Sequence, residues 1–386
     1  MLEDSSPVNM ALKNTSVSLF LPNLDGGGAE LVMLRLAQGL AERGLKIDLV
    51  LAKAEGAYLA KVPSVVRVID LKSRSPVLLF KTLALRRYLQ REQPAILLSA
   101  LDIVSAATWA RLLAGVPTRV VMSVHTNLSH QFQDKPEMIM GRVRSYLVRW
   151  FYPWADAIVA VSQGVAEDLA FMSGLPLADI RVIYNPVVTP DFFEKVKESV
   201  DHPWFAPGEP PVLLGVGRLV RQKDFPTLIR AFALVRQCRP ARLMILGQED
   251  KREPSIRPQL ETLVRELGLE GEVTLPGFVE NPYAYMARAA VFVLSSVYEG
   301  FGNVVAEALA AGTSVVSTDC KSGPAEILAD GKYGRLVPVG DFESLANAIL
   351  ATLSQPTDPE LLRQRSKAFS VETVIDQYLE VLKIDP

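Results

Sequence analysis

Cysteine and histidine are scarce. The two cysteines, Cys238 and Cys320, lie far apart and in no CxxC or Cys/His setting, which argues against a disulfide framework and suits a reducing compartment. Three histidines, His125, His130 and His202, make a histidine-rich metal site improbable. Basic excess is missing too: the net charge is −2, so a general nucleic-acid binder is not expected. No apolar run is long enough to span a membrane. The start, Met-Leu-Glu-Asp-Ser-Ser-Pro, has neither the basic region nor the apolar stretch of a signal peptide, and a cytoplasmic location is expected. No Asp-x-Asp pair occurs, so a Mg²⁺-dependent transferase of that design is not expected either.

What is present is an alternation of short apolar runs and amphipathic stretches. Ser16–Leu21, 47–51, 96–99, 119–123 and 157–161 read as buried parallel strands with helices between. The pattern pauses in a stretch rich in proline and aromatics. It then resumes at Val212–Val216, Arg242–Leu246, 273–275, Val291–Leu294 and 314–317. The fold class predicted is α/β: two Rossmann-like parallel-sheet domains facing a central cleft. Residues 1–190 form the first and 212–365 the second. A linker at 191–211 joins them, and a final helical segment is expected at 366–386.

Three segments carry chemistry. Asp25-Gly26-Gly27-Gly28-Ala29-Glu30 follows the first strand, where glycines allow close backbone approach and helix amides favour an anion; a glycine turn with no ligand is the alternative. Gly215–Asp224 opens the second domain with Arg218 and Lys223, two cations able to clamp a diphosphate, or else a solvated basic loop. The third runs from Ser295 to Glu307. A helix is predicted to start near Asn303 as its cap, with its amides facing a phosphate. Glu299 lies before it and Glu307 about one turn inside, each able to hold a pair of hydroxyls. Apolar neighbours make a bare surface charge at Glu307 costly.

Together these segments resemble the retaining nucleotide-sugar glycosyltransferases of family 4, with the GT-B architecture. The most specific match is the pair Glu299 and Glu307 in an E-x7-E spacing. Also matching are the GGGAE loop, the run Ala155–Ser162, Ser322–Ile327 and Gly334–Pro338. The resemblance implies a nucleotide-diphosphate sugar donor bound by the second domain, a UDP-sugar by expectation, and a final helix, 366–386, that crosses back to the first domain; no metal or other cofactor is expected, since Arg218, Lys223 and the helix start would meet the diphosphate charge. It implies Arg218 and Lys223 on the diphosphate, Gly27 and Gly28 by the distal phosphate, and Phe301, Gly302, Asn303 and Val304 along the phosphate-binding helix start. Glu299 would hold the transferred sugar, Glu307 the ribose, and Gly277, Phe278 and Val279 would lie by the base. His125 matches the active-site histidine. Lys321 departs from the proline of many relatives. An epimerase on a similar scaffold or a catalytically silent binding protein are the competing classes, though Arg218, Lys223 and Glu299 are all intact.

On the acceptor side the resemblance implies a glycan or lipid-linked substrate. Arg142, Arg144, Arg149, Trp150, Phe151, Tyr152 and Trp154 within 141–154 suit peripheral contact with an anionic membrane at the inner face, extended by Arg86, Arg87 and Arg91; an ordinary amphipathic helix is the alternative.

Overall fold

The computed structural model describes residues 15–73, 78–101, 106–133 and 146–384. The chain divides into two compact units, one of residues 1–186 with 371–386 and one of residues 187–370. Residues 191–211, read from sequence as a linker, belong to the second unit, where Phe192–Lys197 is helical.

The first unit holds a seven-stranded sheet in the order β3-β2-β1-β4-β5-β6-β7. Its strands are β1 Ser16–Leu21, β2 Lys46–Leu51, β3 Arg67–Asp70, β4 Ile96–Ala100, β5 Arg119–Val124, β6 Ala157–Ala160 and β7 Ile180–Val182. Every neighbouring pair is parallel. Along β1, Val17, Leu19 and Leu21 enter the core cluster on one face, while Ser18 turns to the other and meets the Tyr88 hydroxyl at 2.7 Å. Helix Gly28–Glu42 brings Met33, Leu36 and Leu40 onto that core, and helix Val371–Leu382 adds Ile375, Tyr378 and Leu379. The two helices approach closely at Gly39, where a side chain would collide with Ile375.

The second unit repeats the plan with six strands in the order β10-β9-β8-β11-β12-β13. They are β8 Val212–Val216, β9 Arg242–Leu246, β10 Val273–Gly277, β11 Val291–Leu294, β12 Val315–Thr318 and β13 Arg335–Val337. Leu213, Leu243 and Ile245 pack against Leu228, Ile229 and Phe232 of helix Phe225–Cys238 and against Leu345 and Ile349 of helix Phe342–Ser354. In both sheets the order reverses beside the first strand, at β1/β4 and β8/β11. The carboxyl ends of such strands form the crevice where open α/β sheets take ligands.

Candidate functional site

The sequence-predicted residues fall at or just beyond the carboxyl ends of β1, β5, β8, β10 and β11, with Glu307 inside the helix that follows β11. In the second unit, β8 runs into Gly217, Arg218 and a short 3-10 turn Arg221–Lys223; β11 runs into the loop 295–302. The two loops are laced together. Val297 N donates to Gln222 O at 2.9 Å, Gln222 Nε2 to Tyr298 O at 2.8 Å, and Ser295 Oγ to Lys223 O at 2.7 Å. This lacing places Lys223 Nζ 2.6 Å from Glu299 Oε1, with the two side chains only 15 % and 9 % exposed. Ser296 Oγ donates to the same carboxylate oxygen at 2.6 Å. A buried ion pair survives only with such extra hydrogen bonds, because desolvation of each charge is expensive. The sequence suggested both residues but not their pairing.

Arg218 is half-exposed, and its Nη1 donates to Asp250 Oδ2 at 3.0 Å. Arg252 grips the same carboxylate through Nε at 2.8 Å and Nη2 at 2.6 Å. Hydrogen bonds from Arg252, aided by the Arg218 charge, hold the Asp250 carboxyl far below the usual carboxylate range. Gly247 allows this loop after β9 to lie against the β8 loop, since a side chain there would strike the Gly217 carbonyl. Asp250 was missed from sequence because a lone aspartate in a charged run carries no signal. Arg221 is exposed.

Helix Asn303–Ala311 begins one residue away from the expected cap. Gly302, at φ +92°, is the cap, and Asn303 is the first helical residue. Glycine takes this left-handed conformation without steric cost. No cap side chain accepts from the first amides, so this end presents positive potential to an anion. Phe301 is buried and packs edge-on to Phe369, with ring centroids 5.5 Å apart. Gly323 is needed beneath it, because a Cβ there would collide with the Phe301 carbonyl. Val304 is half-buried. Glu307 is buried, not a surface charge, and accepts from the Tyr283 hydroxyl at 3.4 Å. Gly277 ends the edge strand β10 at φ +90° and accepts from Gly247 N at 2.9 Å; Phe278 is exposed and Val279 half-buried. Lys321 pairs its backbone with Tyr298, and its carbonyl accepts from Glu299 N at 3.2 Å. Neighbouring Cys320 is buried, its thiol pushed up to about 12 by desolvation and the Glu299 charge, which leaves it inert.

In the first unit, Gly27 caps helix Gly28–Glu42 in extended conformation, and the Glu30 carboxylate lies over it. His125 follows β5. Its Nε2 is 2.9 Å from Ser123 Oγ, which is 3.1 Å from the Tyr378 hydroxyl. Burial lowers the His125 pKa to about 4, so the ring is neutral at pH 7. Among the described residues no group of three or more metal-ligating side chains is found.

Two parallel doubly wound sheets, with candidate residues at strand ends of each, are the arrangement of the GT-B glycosyltransferases. The family described as Glycosyl transferases group 1 matches residues 210–355, and Glycosyltransferase Family 4 matches residues 26–190. The chain belongs to this family. A Campylobacter jejuni N-acetylgalactosamine-N,N'-diacetylbacillosaminyl-diphospho-undecaprenol 4-alpha-N-acetylgalactosaminyltransferase is 29% identical, over 91% of this chain and 93% of its own. The lipopolysaccharide core biosynthesis glycosyltransferase LpsE of Rhizobium meliloti is 28% identical, over 93% and 97%. In fold, the chain is similar to a Rickettsia africae glycosyltransferase, with a TM-score of 0.79 at 18% identity over 96% of this chain and 98% of the other. It is also similar to Anabaena HepE, solved with UDP and glucose, with a TM-score of 0.77 at 21% identity over 96% and 99%.

Proposed function

We propose that the chain transfers a hexosyl or N-acetylhexosaminyl group from a UDP-sugar to a lipid-linked glycan, with retention of anomeric configuration. The observation that carries the donor half is the buried Lys223–Glu299 pair, set at 2.6 Å beside an uncapped helix start. In this reading Lys223 and Arg218 meet the diphosphate, and the amides of Asn303 and Val304 take its remaining charge. Glu299, released from Lys223 as the phosphates arrive, binds hydroxyls of the moving sugar. Glu307 holds the ribose, and Gly277–Val279 borders the base. Within the first unit, Gly27, Gly28 and His125 are the residues this reading assigns to substrate. Two cations and a helix end supply the charge that a metal would otherwise provide, so no resident metal is invoked. Retention follows the family resemblance, not any spacing of residues here.

The acceptor half draws support from what the relatives' names say they act on, a diphospho-undecaprenol glycan and the lipopolysaccharide core. A second support is a rim of exposed apolar side chains in the first unit. Trp150 is 65% exposed, Trp154 40% and Phe171 84%. Arg149 lies against Gly174 at the end of Phe171's helix, and Arg111 Nη2 donates to Trp154 O at 3.2 Å, which ties the elements of this rim together. Aromatics mixed with arginine suit the headgroup layer of an anionic bilayer at the cytoplasmic face. Arg142 and Arg144, expected to strengthen that face, lie outside the described residues.

The test is an assay of the purified chain against a panel of UDP-sugars with an undecaprenyl-diphosphate glycan acceptor, the fresh product being read by NMR. Transfer with an inverted anomeric centre would refute retention, and transfer from other nucleotide sugars alone would refute the UDP reading.

A further inference from the structure

Beneath His125 runs a short chain of hydroxyls. The Tyr378 side chain is fully buried, and its hydroxyl has one hydrogen-bond partner among the described residues, Ser123 Oγ at 3.1 Å. Ser123 Oγ in turn has two, Tyr378 and His125 Nε2 at 2.9 Å. His125 Nδ1 is buried and has none among the described residues.

Direction along this chain can be decided. A buried phenol carries one hydrogen and must place it on an acceptor, since an unmet donor loses its full hydration energy. Among the described residues the only acceptor in reach is Ser123 Oγ, so Tyr378 donates to Ser123. The serine hydrogen is then free to point to His125 Nε2, which accepts it; were Nε2–H to donate to the second lone pair of Ser123 Oγ instead, both the serine hydrogen and Nδ1 would be left without a partner among the described residues, against Nδ1–H alone in this arrangement. In a neutral imidazole one nitrogen accepts and the other carries the hydrogen, so the hydrogen is on Nδ1. The reverse direction would leave the phenol hydrogen facing apolar core. Ionisation does not disturb the assignment: burial pushes the Tyr378 phenol up to about 12 and His125 down to about 4, so both are neutral near pH 7.

We infer that Tyr378 and Ser123 are positioning residues that hold His125 as the Nδ1–H tautomer, so that this ring meets substrate as a hydrogen-bond donor to an oxygen and not as a base. The inference rests on the proposed placement of His125 in the transfer site. It gives the returning C-terminal helix a part in the chemistry: Val371–Leu382 brings Tyr378 under β5 and so sets the tautomer of a residue distant from it in the chain. The orphaned Nδ1–H is the group that a substrate hydroxyl or phosphate oxygen would satisfy.

The experiment uses the full chain labelled with nitrogen-15 histidine. With three histidines, a His125→Gln spectrum assigns the His125 signals by their loss. The two-bond nitrogen–proton pattern at pH 7, without substrate, reads the tautomer directly. The expected result is Nδ1–H in the parent chain, and a shift of population toward Nε2–H in Tyr378→Phe and Ser123→Ala. Both variants remove one oxygen without changing shape much, and each should lower kcat/KM about three- to tenfold, the size of one neutral hydrogen bond. An Nε2–H pattern in the parent, or an unchanged pattern in both variants, overturns the assignment whatever the activity. The expected tautomer together with undiminished kcat/KM in His125→Gln overturns instead the placement of His125 against substrate.

Discussion

Glu299 and Glu307 are both buried carboxylates, yet their neighbours differ, and so should their variants. Glu299 faces an ammonium; Glu307 faces a phenol. Glu299→Gln strands the Lys223 charge in a site where both side chains are at most 15 % exposed. Breaking one side of a buried pair costs about 3–5 kcal/mol. The Tm should fall, and Lys223→Met added to Glu299→Gln should restore part of it without restoring turnover; a double variant less stable than the single one would show the pair is not the source of the loss. Interactions with the moving sugar that strengthen in the transition state appear in kcat, and those with the unchanging ribose appear in KM. Glu307→Gln is therefore expected to raise the donor KM roughly tenfold with a smaller change in kcat, whereas Glu299→Gln cuts kcat steeply. Steady-state profiles of both decide it, and the opposite pattern would reverse the two roles. Asp250→Asn should raise donor KM about three- to tenfold by loosening Arg218, with Arg252→Gln doing less because Arg252 is 74% exposed; an unchanged KM would mean that Arg218 needs no counter-charge. His125 gives a pH signature. Its folded pKa, about 4, lies below the ordinary 6.5, so between these values the unfolded chain binds more proton and stability falls as pH falls. His125→Gln should make the decline of Tm from pH 7 to pH 4.5 shallower, as scanning calorimetry would read.

At the scale of elements, the inner strands of both sheets were legible, and of the four edge strands only β10 was, at 273–275. β1, β8, β9 and β11 match the sequence reading to the residue, because a strand covered on both faces is a predominantly apolar run. β3, β7 and β13 carry no such run: each is three or four residues long, each is a sheet edge, and Arg67–Asp70 is largely exposed. The same contrast holds in the site. Glycines and charges next to strong strands were found, including Lys223 and Glu299. The groups that hold the candidate residues are ordinary ones: Ser296 and Ser123 sit two or three residues from Glu299 and His125 but in no recognisable pattern, while Asp250 and Tyr378 act across gaps of 32 and 255 residues. Asn303 was misplaced as the cap because cap preference was read without the φ that only Gly302 provides at that point. Gly302→Ala therefore tests the helix start. Forcing a side chain into φ +92° costs on the order of 1–3 kcal/mol, so the Tm should drop by several degrees and UDP affinity should weaken. A normal affinity in a destabilised variant would detach the helix start from the donor.

Over the whole molecule, the division of labour follows from two copies of one plan. Each unit offers a strand-end crevice; the second carries the cations and the uncapped helix, and the first carries His125 and an aromatic rim. No helix among the described residues is long and apolar enough to cross a membrane. Trp150→Ala with Phe171→Ser should reduce co-sedimentation with anionic vesicles, and Arg149→Glu should add a loss that is larger at low salt; a parent chain that never sediments with vesicles would remove the membrane from the account. The donor site is the central claim, and its most direct measurement is a calorimetric titration of UDP into the EDTA-treated chain. The account predicts binding that added Mg²⁺ does not improve, and that weakens about tenfold to a hundredfold in Arg218→Ala and in Lys223→Ala, as expected for charge-assisted bonds of roughly 1.5–3 kcal/mol. UDP binding that appears only when Mg²⁺ is restored, or that is indifferent to both substitutions, would contradict it.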